Sequence, residues 1–452
     1  TWDDEDNEFE FDKSFSSIRS LQEKKLKAVF RDFSIRKIYC KLKRKDDRWY
    51  WLAPILIDYL NEDKSFQFLD RYILKFKGSK KEHFQNARDT IAGLEKGAIK
   101  LGEFPLDLFK ILATSVLASP ANASLFSLRK LFKDTLDLEG ESLKIAEAFR
   151  SHFNKPESIS AIRISATGKE YWRQVLNYCA SGNIAAMMSE FLYLIKEADN
   201  YQEIKPLTEY LENILTTRSS NIQVDLQNNQ GEILTQNMRC HFAISYGTQK
   251  LSTESGKDRA VNIRSVFNSP FRPFVLTSTS IGQEGLDFHF YCRKIYHWNL
   301  PHNAIDLEQR EGRINRFKSF VIRKKIAELI KNDELYSYCK DTSLWDKLFT
   351  EAEKKYSNEN SGISPYWYLE EGALKIDRFV PMTSFSKDIF KYEQLKTTLG
   401  LYRLTFGQPR QEELVEALKN SGLNDNEMLA LRDNLLINLS PLKLTKKNST
   451  TK

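Results

Sequence analysis

Apolar residues in the first half of the chain recur at the spacing of amphipathic helices. Trp51–Leu60, Leu106–Leu117 and Ile184–Ile195 each place apolar side chains three and four positions apart. This spacing lines up one face of an α-helix, which a globular protein buries against its core. We therefore predict that residues 1–215 form a mostly helical region.

The pattern changes after Thr216, where short alternating and continuous apolar runs typical of strands begin. Helical patterns separate several of these runs, and this order is typical of a parallel sheet flanked by helices. The predicted strands are Ile222–Leu226, Arg239–Tyr246, Pro273–Ser278 and Arg293–Trp298, and the predicted helices are Arg259–Phe267 and Ile305–Arg316. Residues 216–335 are accordingly assigned to an α/β lobe.

The remainder of the chain divides into two further segments. Residues 336–440 return to a helical pattern, which includes Gln411–Leu418 and Asn426–Leu436. Residues 441–452 are rich in lysine, serine and threonine, a composition that cannot bury enough apolar surface to fold. We predict a disordered tail there.

Composition sets limits on the class of protein. A chain of 452 residues suggests about two to four domains, and 41% hydrophobic residues supply core material for them. No apolar run approaches the roughly 20 residues that span a bilayer, and no secretory signal pattern is present. The five cysteines are scattered without metal-ligand spacing, which favours reduced thiols in a cytoplasmic protein.

Charge alone does not establish a nucleic-acid partner. The chain holds 68 lysines and arginines against 61 acidic residues, a net charge of +7 that is modest for its length. Basic residues cluster at Lys318–Lys325. This cluster is interpreted either as a solvated face or as a contact with a phosphate backbone, and both interpretations stay open.

Two short blocks carry residues suited to phosphate chemistry. The first, residues 275–287, reads VLTSTSIGQEGLD and predicts a turn where hydroxyls and bare backbone amides approach phosphates. The second, residues 309–316, reads QREGRINR. On a helix, Gln309, Arg313 and Arg316 share one face, and arginines on such a face offset the charge on a transferred phosphoryl group.

These blocks resemble motifs V and VI of the superfamily 2 helicases, including the DEAD/DEAH-box and chromatin-remodeller-like branches. Between them, Ile295–Pro301 resembles the strand that precedes the family's motif VI helix. Arg48–Pro54 and Tyr402–Glu412 are similar to segments of large bacterial helicase-like proteins of defence or mobile gene neighbourhoods. The resemblance implies an α/β fold, in which a second RecA-like parallel-sheet lobe is flanked by N-terminal and C-terminal mostly helical regions.

The resemblance also implies a role for each matched residue. Arg313 and Arg316 are expected to act as arginine fingers on the γ-phosphate of ATP, and Gln309 to link the ATP state to the other lobe. Gly285 and Asp287 are expected to contact the nucleotide. Contacts with nucleic acid are expected from the remaining matched residues, which are Thr279, Ser280 and Arg310.

The phosphate-binding half of a helicase ATP site is missing from the sequence. The chain contains no Gly-x-x-x-x-Gly-Lys-Ser/Thr loop, and it contains no Asp-Glu-x-His or Asp-Glu-x-Asp magnesium motif. ATP and Mg²⁺ are therefore expected to be bound mainly by a first RecA-like lobe, in cis or as a separate subunit. The isolated chain is expected not to hydrolyse ATP.

Two functions remain open from the sequence. The first is the C-terminal portion of an ATP-dependent helicase or translocase that acts on nucleic acid, with DNA expected. The second is a non-catalytic nucleic-acid-binding or scaffolding subunit that keeps a RecA-like shell. Intact motif VI arginines favour the first.

Two other groups of residues are interpreted as structural. The histidines at 241, 289, 297 and 302 share no helix face, so core packing or exposure is favoured over a metal site. The aromatic run Trp49–Trp51 is suited to base stacking, but it opens a helical pattern. Helix packing is therefore favoured for this run.

Overall fold

Helices dominate the part of the chain that this computed structural model describes. The chain divides into two units, residues 1–216 and 217–452. The described residues are 13–73, 78–133, 137–165, 170–217, 220–227, 233–240, 264–271, 274–277, 287–330, 343–357, 362–382, 386–405, 410–424, 426–427 and 430–431.

The first unit consists of helices and one small sheet. Strands β1 (Cys40–Lys45) and β2 (Leu101–Glu103) pair in parallel. The helices, in chain order, are α1 (Lys13–Asp32), α2 (Ile35–Tyr39), α3 (Trp49–Asn61), α4 (Gln67–Ile73), α5 (Ser79–Glu95), α6 (Leu108–Ala118), α7 (Pro120–Leu131), α8 (Leu138–Phe153), α9 (Pro156–Ser165), α10 (Tyr171–Ser181), α11 (Ile184–Ala198) and α12 (Ile204–Thr216).

The core of this unit gathers around α3. Trp49, Leu52 and Leu56 are buried from α3, and Ile91 of α5 joins them in one cluster. Their spacing of three and four residues is the one that lines up a helix face. Because Trp49 is buried and its Nε1 donates to the carbonyl of Gly102 at 2.9 Å, it packs the helix as predicted and is not available to stack on a base.

The second unit combines a hairpin, a small parallel sheet and several helices. Strands β3 (Ser220–Gln227) and β4 (Ile233–Cys240) form the antiparallel hairpin, and β5 (Lys294–Tyr296) and β6 (Asp377–Phe379) form the parallel pair. Its helices include α13 (Ala304–Gly312), α14 (Phe320–Leu329), α15 (Leu344–Tyr356), α16 (Asp388–Leu404) and α17 (Gln411–Asn420).

The predicted RecA-like parallel-sheet lobe is wrong. The described strands form three separate two-stranded sheets, of which two are parallel and one is antiparallel. The predicted strand Pro273–Ser278 is not a strand at its described residues 274–277, where Phe274 and Val275 are 69% and 79% exposed. An apolar run is compatible with a buried strand, but only pairing with neighbouring strands makes a sheet.

The other predicted strands are partly observed. Strand β3 covers Ile222–Leu226, whereas β4 ends at Cys240 and overlaps the predicted strand Arg239–Tyr246 at only two residues. Strand β5 lies inside the predicted strand Arg293–Trp298. Its partner β6 falls in the region that was predicted to be helical, and this pairing leaves no place for a continuous parallel sheet among the described residues.

No single helix among the described residues is long and apolar enough to cross a bilayer. The bent pair α6 and α7 meets the length and composition criteria only when both helices are taken together.

Candidate nucleotide and nucleic-acid site

Helix α13 presents the second phosphate-related block. The side chain of Asn303 caps its first turn by accepting a hydrogen bond from the amide of Ile305 at 2.9 Å. Buried Ala304 and Leu307 pack against Leu395 of α16. The polar side of the helix is therefore turned away from this contact, and Gln309 is exposed there.

Helix α13 is shorter than predicted, and this changes how the arginines are presented. It ends at Gly312, whereas the predicted helix ran from Ile305 to Arg316. Glycine is a poor helix residue because it keeps more backbone freedom in the unfolded chain. Arg313 caps the helix end and Arg316 lies beyond it, so Gln309, Arg313 and Arg316 do not form a single helical face.

The two blocks nevertheless meet at their ends. Arg316 Nε donates to Asp287 Oδ1 at 2.9 Å, and both side chains are partly exposed. The amide of Phe288 donates to the carbonyl of Arg313 at 2.9 Å. The last residue of the first block is therefore paired with Arg316, and the residue that follows it is bonded to the backbone of Arg313.

A buried asparagine supports this junction from the other side. Asn268 is 7% exposed, and its Nδ2 donates to the carbonyl of Asp287 at 2.6 Å. This bond fixes the backbone at Asp287 while its carboxylate faces Arg316. Asn268 was not predicted as a member of the site, because the bond joins residues from separate local patterns.

His289 lies next to the junction and is held neutral at neutral pH. Burial lowers its pKa to about 4, the nearby carboxylate of Asp287 opposes this shift, and the cations of Arg323 and Arg316 reinforce it. Among the described residues no group of three or more His, Cys, Asp or Glu side chains is placed to hold a metal ion.

Glu311 connects α13 to the small parallel sheet, and the sequence-based prediction missed it. Its carboxylate accepts hydrogen bonds from Arg378 of β6 and lies 3.3 Å from Nε2 of buried His297. Burial acts to raise the pKa of Glu311, but the bonds from His297 and Arg378 outweigh it and leave the pKa below its ordinary value. Since Arg378 lies far along the chain, no local pattern could have revealed this contact.

The predicted nucleic-acid residues are only partly described. Arg310 Nη1 donates to the carbonyl of Asn299 at 2.8 Å, which holds its guanidinium beside the end of β5. Thr279 and Ser280 lie outside the described residues, and so does Gly285, which was predicted to contact the nucleotide.

The basic cluster Lys318–Lys325 is mostly not available to a phosphate backbone. Lys318, Arg323 and Lys325 are buried, and only Lys324 of its four cations is exposed. Arg323 Nη1 donates to the carbonyl of Lys318 at 2.8 Å, and Lys325 Nζ donates to that of Leu369 at 2.6 Å. The described geometry favours a structural role, which is neither of the two interpretations that the sequence left open.

Comparison of the chain with protein-family models, curated proteins and solved structures finds no match.

Proposed function

We propose that this chain is the C-terminal portion of an ATP-dependent helicase or translocase that acts in the cytoplasm on nucleic acid, with DNA as the expected substrate. The observation that carries the proposal is the junction at Asp287 and Phe288. Asp287 pairs with Arg316, and the amide of Phe288 donates to the carbonyl of Arg313, at 2.9 Å each. Asp287, Arg313 and Arg316 belong to the two blocks that resemble helicase motifs V and VI.

The junction is suited to phosphoryl transfer. In ATP hydrolysis a water molecule attacks the γ-phosphorus, the bond to the bridging oxygen breaks, and ADP and phosphate are released. Negative charge spreads over the γ-phosphate oxygens in the transition state, and arginine guanidinium groups stabilise it. Arg313 and Arg316 would supply these cations, and exposed Gln309 would communicate the ATP state to the partner lobe.

The Asp287–Arg316 ion pair holds both side chains in place while no nucleotide is bound. An ion pair between partly exposed side chains contributes on the order of 1 kcal/mol or less, so a triphosphate can compete for Arg316. The released carboxylate of Asp287 would then accept a hydrogen bond from a ribose hydroxyl. The pair therefore keeps both groups in place at little energetic cost to nucleotide binding.

The chain itself fits only one side of an ATP site. It contributes arginine side chains, but its sequence holds neither a phosphate loop nor an acidic magnesium motif. ATP and Mg²⁺ would be bound mainly by a nucleotide-binding lobe in the same protein or in a second subunit. Asp287, Arg313 and Arg316 would complete that site from the opposite side.

A complementation experiment tests this proposal. We expect no nucleic-acid-stimulated ATP turnover by the isolated chain, and we expect turnover when the nucleotide-binding lobe, encoded upstream in frame or in a neighbouring gene, is added. Steady phosphate release by the isolated chain would refute the proposed division of the site. Failure of every such lobe to restore turnover would refute the motor function.

A second candidate function is a non-catalytic nucleic-acid-binding or scaffolding subunit. It is favoured by the same ion pair, because Asp287 neutralises the charge of Arg316 that a catalytic finger needs. The two functions predict opposite results in the complementation experiment. Only the motor function predicts ATP turnover that depends on Arg313 and Arg316.

A further inference from the structure

One face of the small parallel sheet carries exposed aromatic rings. Exposure alternates along residues 294–298: Lys294, Tyr296 and Trp298 are exposed, whereas Ile295 is partly buried and His297 is buried. Alternation of this kind places the exposed residues on one side of an extended chain. Tyr296 is 62% exposed and Trp298 is 82% exposed, values that are unusual for such large rings.

The neighbouring strand extends this face. Tyr296 lies opposite Phe379 in the register of β5 and β6, and their rings stack with centroids 4.5 Å apart and planes 9° apart. A stacked pair covers one face of each ring and leaves the other for a third planar group. Lys294, Tyr296, Trp298 and Phe379 are together called the aromatic face below.

The opposite side of the sheet is already occupied. His297 and Arg378, which alternate with the aromatic residues, both reach Glu311 of α13. The amide of His297 also donates to the carbonyl of Phe379 at 2.9 Å, which fixes the two strands where the aromatic pair is formed. The aromatic face is thus held rigidly from behind while its rings remain exposed.

Cations lie beside the rings. Lys294 Nζ is 6.0 Å from the centroid of Phe379. Arg310 is held at the carbonyl of Asn299, the residue that follows Trp298. Arg293 and Asp377 pair with each other at the start of the sheet, so their charges cancel and leave Lys294 as the exposed charge of the face.

We propose that the aromatic face binds single-stranded nucleic acid by stacking bases on Tyr296 and Trp298, with Lys294 and Arg310 beside the phosphates. Adjacent rings with cations at their sides match a strand of planar bases joined by charged phosphates. A protein partner would gain little from the isolated cations, and a duplex would offer no unstacked base. The inference names the substrate of the proposed motor as an unpaired strand and rests on that function.

The aromatic face predicts sequence-tolerant binding, because every base has a flat face to stack. The test measures binding of the chain to a fluorescein-labelled 20-nucleotide oligo-dT and to a 20-base-pair duplex by fluorescence anisotropy. Stacking contributes about 1–3 kcal/mol for each base. We therefore expect the double variant Tyr296→Leu, Trp298→Leu to bind oligo-dT at least about tenfold more weakly than wild type.

Two controls separate stacking from general damage. The double variant Tyr296→Phe, Trp298→Phe keeps aromatic rings and is expected to bind within about threefold of wild type. Phe390→Leu removes an exposed ring on α16, outside the aromatic face, and is expected to leave binding unchanged. Quenching of 2-aminopurine in the oligonucleotide by wild type, but not by the leucine variant, is expected to report the stacking itself.

The outcomes distinguish this inference from the proposed function. Wild-type affinity in the leucine variant would overturn the proposed role of the aromatic face in binding and leave the ATP-site proposal standing. Preference for duplex over oligo-dT would also overturn it. Absence of any nucleic-acid binding by the chain would overturn it together with the nucleic-acid part of the proposed function, while the complementation experiment would still test the ATP site.

Discussion

Glu311 is a residue whose importance comes from its surroundings. It bonds Arg378 and buried His297, whereas Glu308 on the same helix forms an exposed ion pair with Arg403. Bonds to charged and buried groups contribute about 1.5–3 kcal/mol, but exposed pairs contribute about 1 kcal/mol or less. The two glutamates form a matched comparison within α13.

We expect Glu311→Gln to lower the free energy of unfolding by about 2 kcal/mol. Glu308→Gln is expected to lower it by less than about 1 kcal/mol. Urea denaturation followed by circular dichroism measures both variants against wild type. Equal losses would show that Glu311 does not join α13 to the sheet in the way described.

His289 predicts a dependence of stability on pH. Its pKa is about 4 in the folded chain against an ordinary value of 6.5. Between these values the unfolded chain binds a proton that the folded chain does not, so the free energy of unfolding falls as the pH falls. The contribution of His289 is complete above about pH 6.5 and is lost as the pH approaches 4.

We expect His289→Gln to reduce the loss of stability between pH 7 and pH 4.5 by on the order of 2 kcal/mol. His302→Gln, which changes an exposed histidine, serves as the control. Denaturation midpoints at a series of pH values provide the measurement. A His289→Gln curve parallel to the wild-type curve would contradict burial of a neutral His289.

At the scale of elements, the close approach of β1 and β2 depends on Gly102. A Cβ atom at this position would lie 2.0 Å from the backbone oxygen of Arg44, which no side-chain adjustment relieves. Gly400 in α16 differs, because a Cβ there has no heavy atom within 4 Å outside its own helix and neighbours. Substitutions at the two glycines therefore distinguish the effect of a steric clash from the effect of backbone freedom.

We expect Gly102→Ala to lower the free energy of unfolding by about 2 kcal/mol or more, as for other overpacked sites. Gly400→Ala is expected to raise it by up to about 1 kcal/mol, because alanine favours helix. Thermal and urea unfolding followed by circular dichroism test both. A neutral Gly102→Ala variant would contradict the parallel pairing of β1 with β2.

Helices could be predicted from the sequence, whereas the pairing of strands could not. Helices α3, α6 and α11 coincide with segments whose apolar spacing predicted them, because that spacing depends on neighbours within one helix. Strand pairing depends on distant residues. Strand β5 was predicted, but its partner β6 lies in a region with a helical pattern, so the predicted sheet was wrong.

The residues of the candidate site likewise include some that the sequence predicted and some that it did not. Arg313, Arg316 and Asp287 were predicted from their motif-like blocks, and the structure places them together. Asn268, Glu311 and Arg378 were not predicted, because each acts through a partner that no local pattern identifies. Local patterns indicate which side chains are suited to the proposed chemistry. The side chains that position them are determined by tertiary contacts, which local patterns do not reveal.

At the scale of the whole molecule, the chain divides after Thr216, where the hydrophobic pattern changes. The residues of the proposed ATP and nucleic-acid sites all lie in the second unit. A net charge of +7 over 452 residues supplies only a weak general attraction to nucleic acid. The two proposed activities therefore depend on specific side chains.

The central claim is that Arg313 and Arg316 act on the γ-phosphate of ATP. The most direct test is kcat for nucleic-acid-stimulated ATP hydrolysis by the chain together with its nucleotide-binding lobe. Loss of arginine fingers costs about 10³-fold or more, so we expect a loss of this size in Arg313→Ala, Arg316→Ala. Arg150→Ala, which removes an exposed arginine paired with Glu147, is expected to retain full activity. Turnover near the wild-type rate in the double variant would contradict the claim.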